Sequence, residues 1–165
     1  MKSVILIGMP GSGKTSLGKT VAEILGLRFI DIDDIITEKH GEIITIFSEL
    51  GESVFRKYET EALNEAIKYS NSIISTGGGI IETQGNTEIM KGYNVIFIDR
   101  SPESILRTLD SNSRPLLKDN KDVLRKLYNR RYNKYIVAMN FHVKNDGSFV
   151  ECVEEIVKQI KSIKG

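Results

Sequence analysis

The sequence has a single cysteine and almost no net charge, and each of these facts excludes a class of protein. With Cys152 alone, no disulfide can form within the chain, as is typical of proteins from a reducing compartment. We expect Cys152 to be a small buried apolar residue. The 165 residues include 23 basic and 22 acidic ones, for a formal net charge of +1. This balance gives no reason to expect a nucleic acid or a membrane as a partner.

Long hydrophobic runs are also missing. No stretch approaches the ~20 apolar residues that a membrane-spanning helix needs, and the apolar run Val4–Ile7 is too short for the core of a signal peptide. We therefore expect a cytoplasmic protein. The length, with 40% apolar and 27% charged residues, predicts one globular domain over residues 1–165. No obvious apolar stripe indicates a dimer, so we expect a monomer.

Short runs of β-branched residues alternate with longer helical patterns. Strands are predicted at 4–7, 29–31, 72–76 and 95–98, and more weakly at 141–144. A helix is predicted from about Lys14 to Leu25, and another near the C-terminus whose apolar stripe comprises Val150, Val153, Ile156, Val157, Ile160 and Ile163. Continuous apolar strands separated by helices predict an α/β three-layer fold, with a parallel sheet covered on both faces. Ligands bind such sheets at the carboxyl ends of the strands.

A glycine-rich loop follows the first predicted strand. The residues G-M-P-G-S-G-K-T at 8–15 fit the phosphate-binding pattern G-x-x-x-x-G-K-[ST], and the following helix adds the partial positive charge of its N-terminus. Lys14 is expected to reach the β- and γ-phosphates, and the Thr15 hydroxyl to bind Mg²⁺. The residues predicted to bind ATP here are Gly11, Ser12, Gly13, Lys14, Thr15 and Ser16. The small size and the lack of an N-K-x-D stretch favour a small-molecule kinase over a GTPase or a motor.

Three aspartates follow the second predicted strand. If the chain stays extended there, Asp31 and Asp33 lie on one side. Two carboxylates near Mg²⁺ suit phosphoryl transfer, because one can hold the metal's water shell and the other can orient the acceptor hydroxyl. Helix capping is the alternative, and Asp34 is the candidate cap of a helix starting near Ile35.

Arginines and glycines complete the candidate site. Arg56 begins a long helix, where it could instead be a surface residue paired with Glu52 or Glu59. The glycines after the third strand, which are Gly77, Gly78 and Gly79, allow a ligand to approach bare backbone, although a flexible turn would explain them equally well.

Three further arginines lie later in the chain. Arg114 lies in a loop-like stretch at 109–115, a suitable place for a mobile lid that brings a cation to the transferred phosphate. Arg130 and Arg131 lie together on a predicted helix. By spacing alone each arginine is more often solvated than functional.

Taken in order, six motifs resemble those of shikimate kinases. They are G-M-P-G-S-G-K-T, D-I-D, G-E-x-x-F-R-x-x-E, T-G-G-G, R-P-L-L and R-x-x-x-Y. The resemblance implies a nucleoside-monophosphate-kinase-like fold, with a parallel sheet of five strands in the order 2-3-1-4-5. It also implies ATP-dependent phosphorylation of the 3-hydroxyl of shikimate, in chorismate and aromatic amino acid biosynthesis, with Mg²⁺ as the metal. A gluconate kinase or a silent nucleotide-binding module would share the P-loop but has no need for the other motifs together.

The resemblance also implies roles for single residues. Thr15 would bind Mg²⁺ with support from Asp31. Asp33 would bind shikimate hydroxyls and accept the proton of the reacting one. Arg56 and Arg131 would clamp the substrate carboxylate, although the family often has R-x-P-L-Y where this chain has R-Y-N-K-Y, so either Arg130 or Arg131 could point inwards.

The remaining implied contacts lie on the glycines and in two segments. The backbone of the glycine triplet, Gly78 above all, would contact the substrate. Residues 32–61 would form the substrate-binding segment, lined by Phe47 and Phe55. Residues 109–119 would form the lid, with Arg114 on the ATP phosphates, and Arg107 would stack near adenine.

Overall fold

A parallel β-sheet forms the centre of the computed structural model, which describes residues 1–108 and 121–164. Its five strands have the order β2-β3-β1-β4-β5, as predicted. The strands are β1 (Val4–Ile7), β2 (Arg28–Asp31), β3 (Ser72–Ser75), β4 (Asn94–Asp99) and β5 (Phe141–Lys144). The predicted strand bounds are therefore correct to within one residue at each end.

Helices connect the strands and cover both faces of the sheet. They are α1 (Lys14–Leu25), α2 (Ile32–His40), α3 (Ile43–Leu50), α4 (Glu52–Ala66), a short 3-10 helix (Ile80–Glu82), α5 (Gln84–Met90), α6 (Pro102–Thr108), α7 (Lys121–Ala138) and α8 (Phe149–Lys164). The predicted lid at 109–119 lies outside the described residues.

Alternation along β1 creates two hydrophobic cores. Val4 and Leu6 point to the side covered by α1 and α8, and Ile5 and Ile7 point to the side covered by α2, α4, α5 and α7. All four side chains are fully buried. A strand buried on both faces needs apolar residues at every position, which explains the unbroken run in the sequence.

The apolar face of α8 differs from the predicted one. Val150 is 62% exposed, whereas Cys152 is buried, as predicted for it. At 3.6 residues per turn, Val150 lies roughly 110° around the helix from the centre of the buried stripe. The residues of that stripe that pack on the sheet are Cys152, Val153, Ile156 and Ile160.

The parallel register places the candidate motifs at one edge of the sheet. Leu6 pairs with Ser75, and Ser75 pairs in turn with Asp31. The P-loop, the start of α2 and the glycine triplet each follow one of these three strands, so they meet at the carboxyl edge. Along the part of the chain that the structure describes, none of the helices is both long and apolar enough to span a bilayer.

Candidate active site

The P-loop turns tightly between β1 and α1. Gly8 has φ 151°, and a Cβ there would lie 2.4 Å from the carbonyl oxygen of Ile98. A side chain at this position would therefore collide with β4. The Lys14 ammonium lies back over the loop, where it donates to the carbonyl oxygens of Gly8 at 2.7 Å and Met9 at 2.9 Å. Lys14 is thereby held inside the loop that the sequence predicts to receive phosphate.

Thr15 and Asp31 form a cluster of oxygen atoms beside the P-loop. The Thr15 hydroxyl donates to Asp31 Oδ2 at 2.8 Å and lies 3.3 Å from Ser75 Oγ. A hydroxyl and a carboxylate are the ligand types that Mg²⁺ takes in phosphoryl-transfer sites. These two residues therefore fit the predicted role of metal ligand and support.

The prediction for the cap of α2 was wrong. The helix begins at Ile32, and its N-cap is Asp31, whose Oδ1 accepts from the Asp33 backbone N–H at 2.9 Å. Asp34 lies inside the first turn, as does Asp33, so the chain is not extended between Asp31 and Asp33. An aspartate with extended backbone just before a helix satisfies one of the unpaired N–H groups there, which explains why the helix starts three residues earlier than expected.

Asp33 nevertheless faces the same cavity as Asp31. Asp33 is half-buried, and a Cβ on Gly77 would lie 3.5 Å from its Oδ1. The carboxylate of Asp33 therefore lies close to the glycine triplet. The predicted pair of carboxylates is present, one on the strand end and one on the helix.

Arg56 is held against the glycine triplet by an ion pair. Its Nη1 donates to Glu59 Oε1 at 2.8 Å, and its Nη2 donates to Glu52 Oε1 at 3.2 Å. A Cβ on Gly79 would lie 2.3 Å from Arg56 Nη2, so the guanidinium occupies space that only a glycine leaves open. The pairing that the sequence suggested as an alternative is real, and Arg56 lines the cavity all the same.

Glu59 is the buried partner of this pair. Its side chain is 1% exposed, and its Oε2 has no hydrogen-bond partner among the described residues. Burial raises the pKa of Glu59 above its usual range, although the charge of Arg56 and its hydrogen bond act in the opposite direction. A buried carboxylate is costly unless a cation lies beside it. Arg56 therefore stabilises the charge of Glu59, and Glu59 in turn orients Arg56.

Arg131, and not Arg130, points inwards. Arg131 lines the cavity and its side chain is 8% exposed, whereas that of Arg130 is 61% exposed. Both pair with Glu82 Oε1, at 2.9 Å for Arg131 Nε and 3.2 Å for Arg130 Nη2, and Lys134 Nζ lies 2.8 Å from Glu82 Oε2. The helix register of α7 therefore resolves the alternative that the sequence left open.

Tyr135 connects α7 to the glycine triplet. It lies one helical turn after Arg131 and is fully buried, and its hydroxyl donates to the Gly78 carbonyl oxygen at 2.5 Å. Burial raises the pKa of Tyr135 well above its ordinary value, so the hydroxyl stays protonated and keeps this donor role. The hydrogen bond fixes the orientation of the peptide at Gly78.

The P-loop, the two aspartates, the glycine triplet, Arg56 and Arg131 surround one cavity of ≈ 440 Å³, a volume in the range of small-ligand sites. One wall is apolar and consists of Ile43, Phe47 and Phe55, with the two phenylalanine rings 4.5 Å apart. The predicted site residues that line the cavity are Gly11, Gly13, Lys14, Thr15, Ser16, Asp31, Asp33, Arg56, Gly77, Gly78, Gly79 and Arg131.

Two predicted residues, Ser12 and Arg107, do not line this cavity. The Ser12 side chain is buried within the P-loop, and its backbone N–H donates to the Met9 carbonyl oxygen. Arg107 is exposed on α6, with Nη2 2.9 Å from Ser104 Oγ, and is not among the described residues that line the cavity. Arg114 lies outside the described residues.

Sequence reasoning missed Glu82 and gave Glu59 and Tyr135 no functional role. Glu59 was visible as a helical-spacing partner of Arg56, but nothing local indicated that it is buried. Tyr135 lies one turn after Arg131, a spacing that places both on the same face. Glu82 carried no local signal, because its partner Arg131 is far away in sequence.

The strand–loop–helix cradle and the adjoining acceptor cavity define the class as a P-loop phosphotransferase for a small molecule. A shikimate kinase family model matches residues 10–161. The chain belongs to the shikimate kinase family.

Individual relatives agree with this assignment. The chain is 46% identical over 158 residues to a shikimate kinase from Clostridium botulinum, covering 95% of this chain and 96% of the relative. The structure of shikimate kinase from Acinetobacter baumannii in complex with shikimate has a TM-score of 0.90 at 34% identity, covering 99% of this chain and 95% of that one. A gluconokinase from Sinorhizobium meliloti has a TM-score of 0.67 at 15% identity and shares the fold alone; 98% of this chain and 93% of that one are covered.

Proposed function

We propose that this protein transfers the γ-phosphate of ATP to the 3-hydroxyl of shikimate, giving shikimate 3-phosphate and ADP. The observation that carries the proposal is the pair Arg56 and Arg131, which come from different helices and line one cavity beside the P-loop. Membership of the shikimate kinase family supports the same activity.

The two arginines suit the charge of this acceptor. Shikimate is a small polyol with a single carboxylate, and a planar guanidinium can bind a carboxylate through two parallel hydrogen bonds. Two arginines on separate helices restrict both the position and the rotation of the ring. Correct orientation of the acceptor is a main requirement of in-line phosphoryl transfer, because the transfer step itself needs little covalent chemistry from the protein.

Asp33 would bind the substrate hydroxyls in the same cavity. It is half-buried beside Gly77, so its carboxylate borders the same cavity as the arginines. An aspartate that accepts a hydrogen bond from the reacting hydroxyl orients its oxygen toward phosphorus and can take its proton. The Gly78 backbone, fixed by Tyr135, would provide a further contact.

The P-loop would bind the phosphates of ATP. Lys14 and the backbone N–H groups between Gly11 and Ser16 supply positive charge and donors to the β- and γ-phosphates. The Thr15 hydroxyl and the Asp31 carboxylate would hold Mg²⁺, directly and through water respectively. When bound, the metal neutralises charge on the phosphate oxygens.

Other sequence predictions carry over as proposals. Residues 1–165 would form a single domain, with substrate recognition concentrated in 32–61 and a lid at 109–119. Arg114 would bring positive charge to the ATP phosphates from that lid, and Arg107 would contact the adenine. The protein would act as a cytoplasmic monomer in aromatic amino acid biosynthesis.

A coupled assay of ADP release tests the activity, with ATP and Mg²⁺ present and with shikimate, gluconate or no acceptor. We expect ADP with shikimate alone. Arg56→Ala and Arg131→Ala should each raise the shikimate KM at least tenfold, with the ATP KM little changed. Arg125→Ala is the matched control on α7, because its side chain is 51% exposed and pairs with Glu103. Turnover of gluconate, or an unchanged shikimate KM in both cavity variants, would contradict the proposal.

A further inference from the structure

Glu82 joins the glycine segment to helix α7. It ends the 3-10 helix that follows Gly79, and its backbone N–H donates to the Gly79 carbonyl oxygen at 2.9 Å. Its carboxylate faces α7, where Oε1 accepts from Arg131 Nε at 2.9 Å and Oε2 accepts from Lys134 Nζ at 2.8 Å. One carboxylate therefore bridges the two elements that bring Gly78 and Arg131 to the cavity.

The three cations around Glu82 are not equivalent. The side chains of Arg130 and Lys134 are 61% and 44% exposed. Water and salt therefore screen their attraction to Glu82, and each of these two ion pairs contributes little free energy. Arg131 is 8% exposed, so its contact with Glu82 is much less screened by water and salt. The contact with Arg131 is thus the one that a change at Glu82 affects most.

The Glu82 carboxylate is also ionised at neutral pH. Burial alone would raise its pKa, but the hydrogen bonds from Lys134 and Arg131 outweigh that effect and lower the pKa to about 2. The carboxylate is therefore a permanent acceptor at neutral pH.

We propose that Glu82 is a positioning residue for Arg131, which it holds by Nε so that the rest of the guanidinium is presented to the carboxylate of the acceptor. The inference rests on the proposed function, since it assigns Arg131 to the substrate carboxylate. A guanidinium has five N–H donors in a fixed plane. Glu82 accepts from the one nearest the side-chain stem, and the Tyr135 hydroxyl is a further polar neighbour of the same guanidinium. The four terminal N–H groups have the geometry that suits end-on binding of a second carboxylate.

Glu82 also repels the acceptor electrostatically, because it carries the same negative charge as the substrate carboxylate. Three cations surround this single carboxylate, however, so the local charge remains positive by two. Loss of orientation should therefore outweigh relief of repulsion, and removal of Glu82 should weaken binding of the acceptor.

The test compares Glu82→Ala and Glu82→Gln with Glu88→Ala in steady-state kinetics. Glu88 is the matched control, a nearby carboxylate that is 56% exposed and pairs with Lys91 on the surface. We expect Glu82→Ala to raise the shikimate KM roughly fivefold to tenfold, as for loss of a hydrogen bond between charged groups. Glu82→Gln keeps an acceptor for Nε, so its increase should be smaller. The ATP KM and kcat should stay within twofold of wild type, as should all constants of Glu88→Ala.

A double variant separates positioning from a general loss of structure. In the Arg131→Ala background, Glu82→Ala should cause no further rise in the shikimate KM, because the group that Glu82 positions is gone. A fully additive effect would overturn the inference, and so would a lower shikimate KM in Glu82→Gln or an equal change in both Michaelis constants. An active wild type with an unchanged Glu82→Ala variant would overturn this inference alone, whereas a wild type without shikimate turnover would overturn the proposed function as well.

Discussion

Arg56 and Glu59 form an ion pair one turn apart on α4, with 2.8 Å between Nη1 and Oε1 and with Glu59 completely enclosed. The pair lies directly against Gly77 and Gly79, the two glycines whose absent side chains leave room for it. The Glu59 carboxylate thus orients a guanidinium that lines the cavity. It also supplies the negative charge that offsets the cost of burying that guanidinium.

Glu59→Gln tests this dependence. The variant leaves Arg56 half-buried without its main counter-charge, so we expect the free energy of unfolding to fall by about 2–3 kcal/mol, somewhat less than for a fully buried pair. The shikimate KM should rise as Arg56 loses its orientation. Urea unfolding and steady-state kinetics measure the two effects. Glu61→Gln is the control, since its side chain is 68% exposed, and a loss of stability as large as that of Glu59→Gln would contradict the explanation.

Gly79→Ala should impair binding of the acceptor without unfolding the protein. The new Cβ would lie 2.3 Å from Arg56 Nη2, and the guanidinium must move because it is the flexible end of a side chain. We expect the shikimate KM to rise about tenfold or more, with the ATP KM preserved. Gly85→Ala is the matched control on α5, where an added Cβ meets nothing within 4 Å and alanine favours the helix by ~0.5–1 kcal/mol. A normal shikimate KM in Gly79→Ala would exclude the proposed crowding.

Thr15→Val should raise the Mg²⁺ requirement. Valine has nearly the same shape as threonine but lacks the hydroxyl that donates to Asp31 at 2.8 Å. Since that hydroxyl is also the proposed metal ligand, we expect the Mg²⁺ concentration for half-maximal activity to rise at least tenfold and kcat to fall. Thr15→Ser restores the hydroxyl and should restore the Mg²⁺ dependence. Equal impairment of both variants would argue against a role for the hydroxyl.

The contribution of Glu82 to stability should depend on pH. Its pKa is about 2 in the folded protein, against 4.5 as the ordinary value. A carboxyl with a lowered pKa stabilises the fold above its unfolded pKa, and this contribution is lost as the pH falls through the folded value. Glu82→Gln should therefore lower the free energy of unfolding by about 1–2 kcal/mol at pH 7 after allowance for partial exposure, and the difference should shrink between about pH 5 and pH 2. Urea unfolding across that range measures it, and a difference that does not vary with pH would refute the assignment.

The fold could be predicted from the sequence because its signals are local. The run at 4–7 is apolar at every position, and the P-loop pattern that follows it constrains strand, turn and helix together. The six motifs then implied the strand order, which the structure confirms. The start of α2 could not be predicted in this way, because Ile32 is buried whether the chain stays extended there or begins a helix. A hydrophobic pattern alone does not distinguish those cases.

The candidate site was predicted to a similar extent. Residues on the P-loop, the aspartates and the glycine triplet were found because each follows a strand, and parallel strands bring those positions to one edge. The choice between Arg130 and Arg131 depended on the rotation of α7, which the weakly amphipathic sequence does not specify. Glu82 and Arg131 are 49 residues apart, and no local pattern indicates so distant a contact.

The strand order also determines when the phosphate cradle can form during synthesis. β1 is made first, yet it pairs with β3 and β4, whose residues lie about 70 to 90 positions further along the chain. Gly8 packs directly on the Ile98 carbonyl, so the bend of the loop is shaped by β4 itself. Pairings between such distant segments form slowly, because the entropy cost of closing a long loop comes before any stabilising contact can form. A nascent chain that has not yet reached β4 carries the whole phosphate-binding motif, but it lacks the surface against which that motif takes its shape.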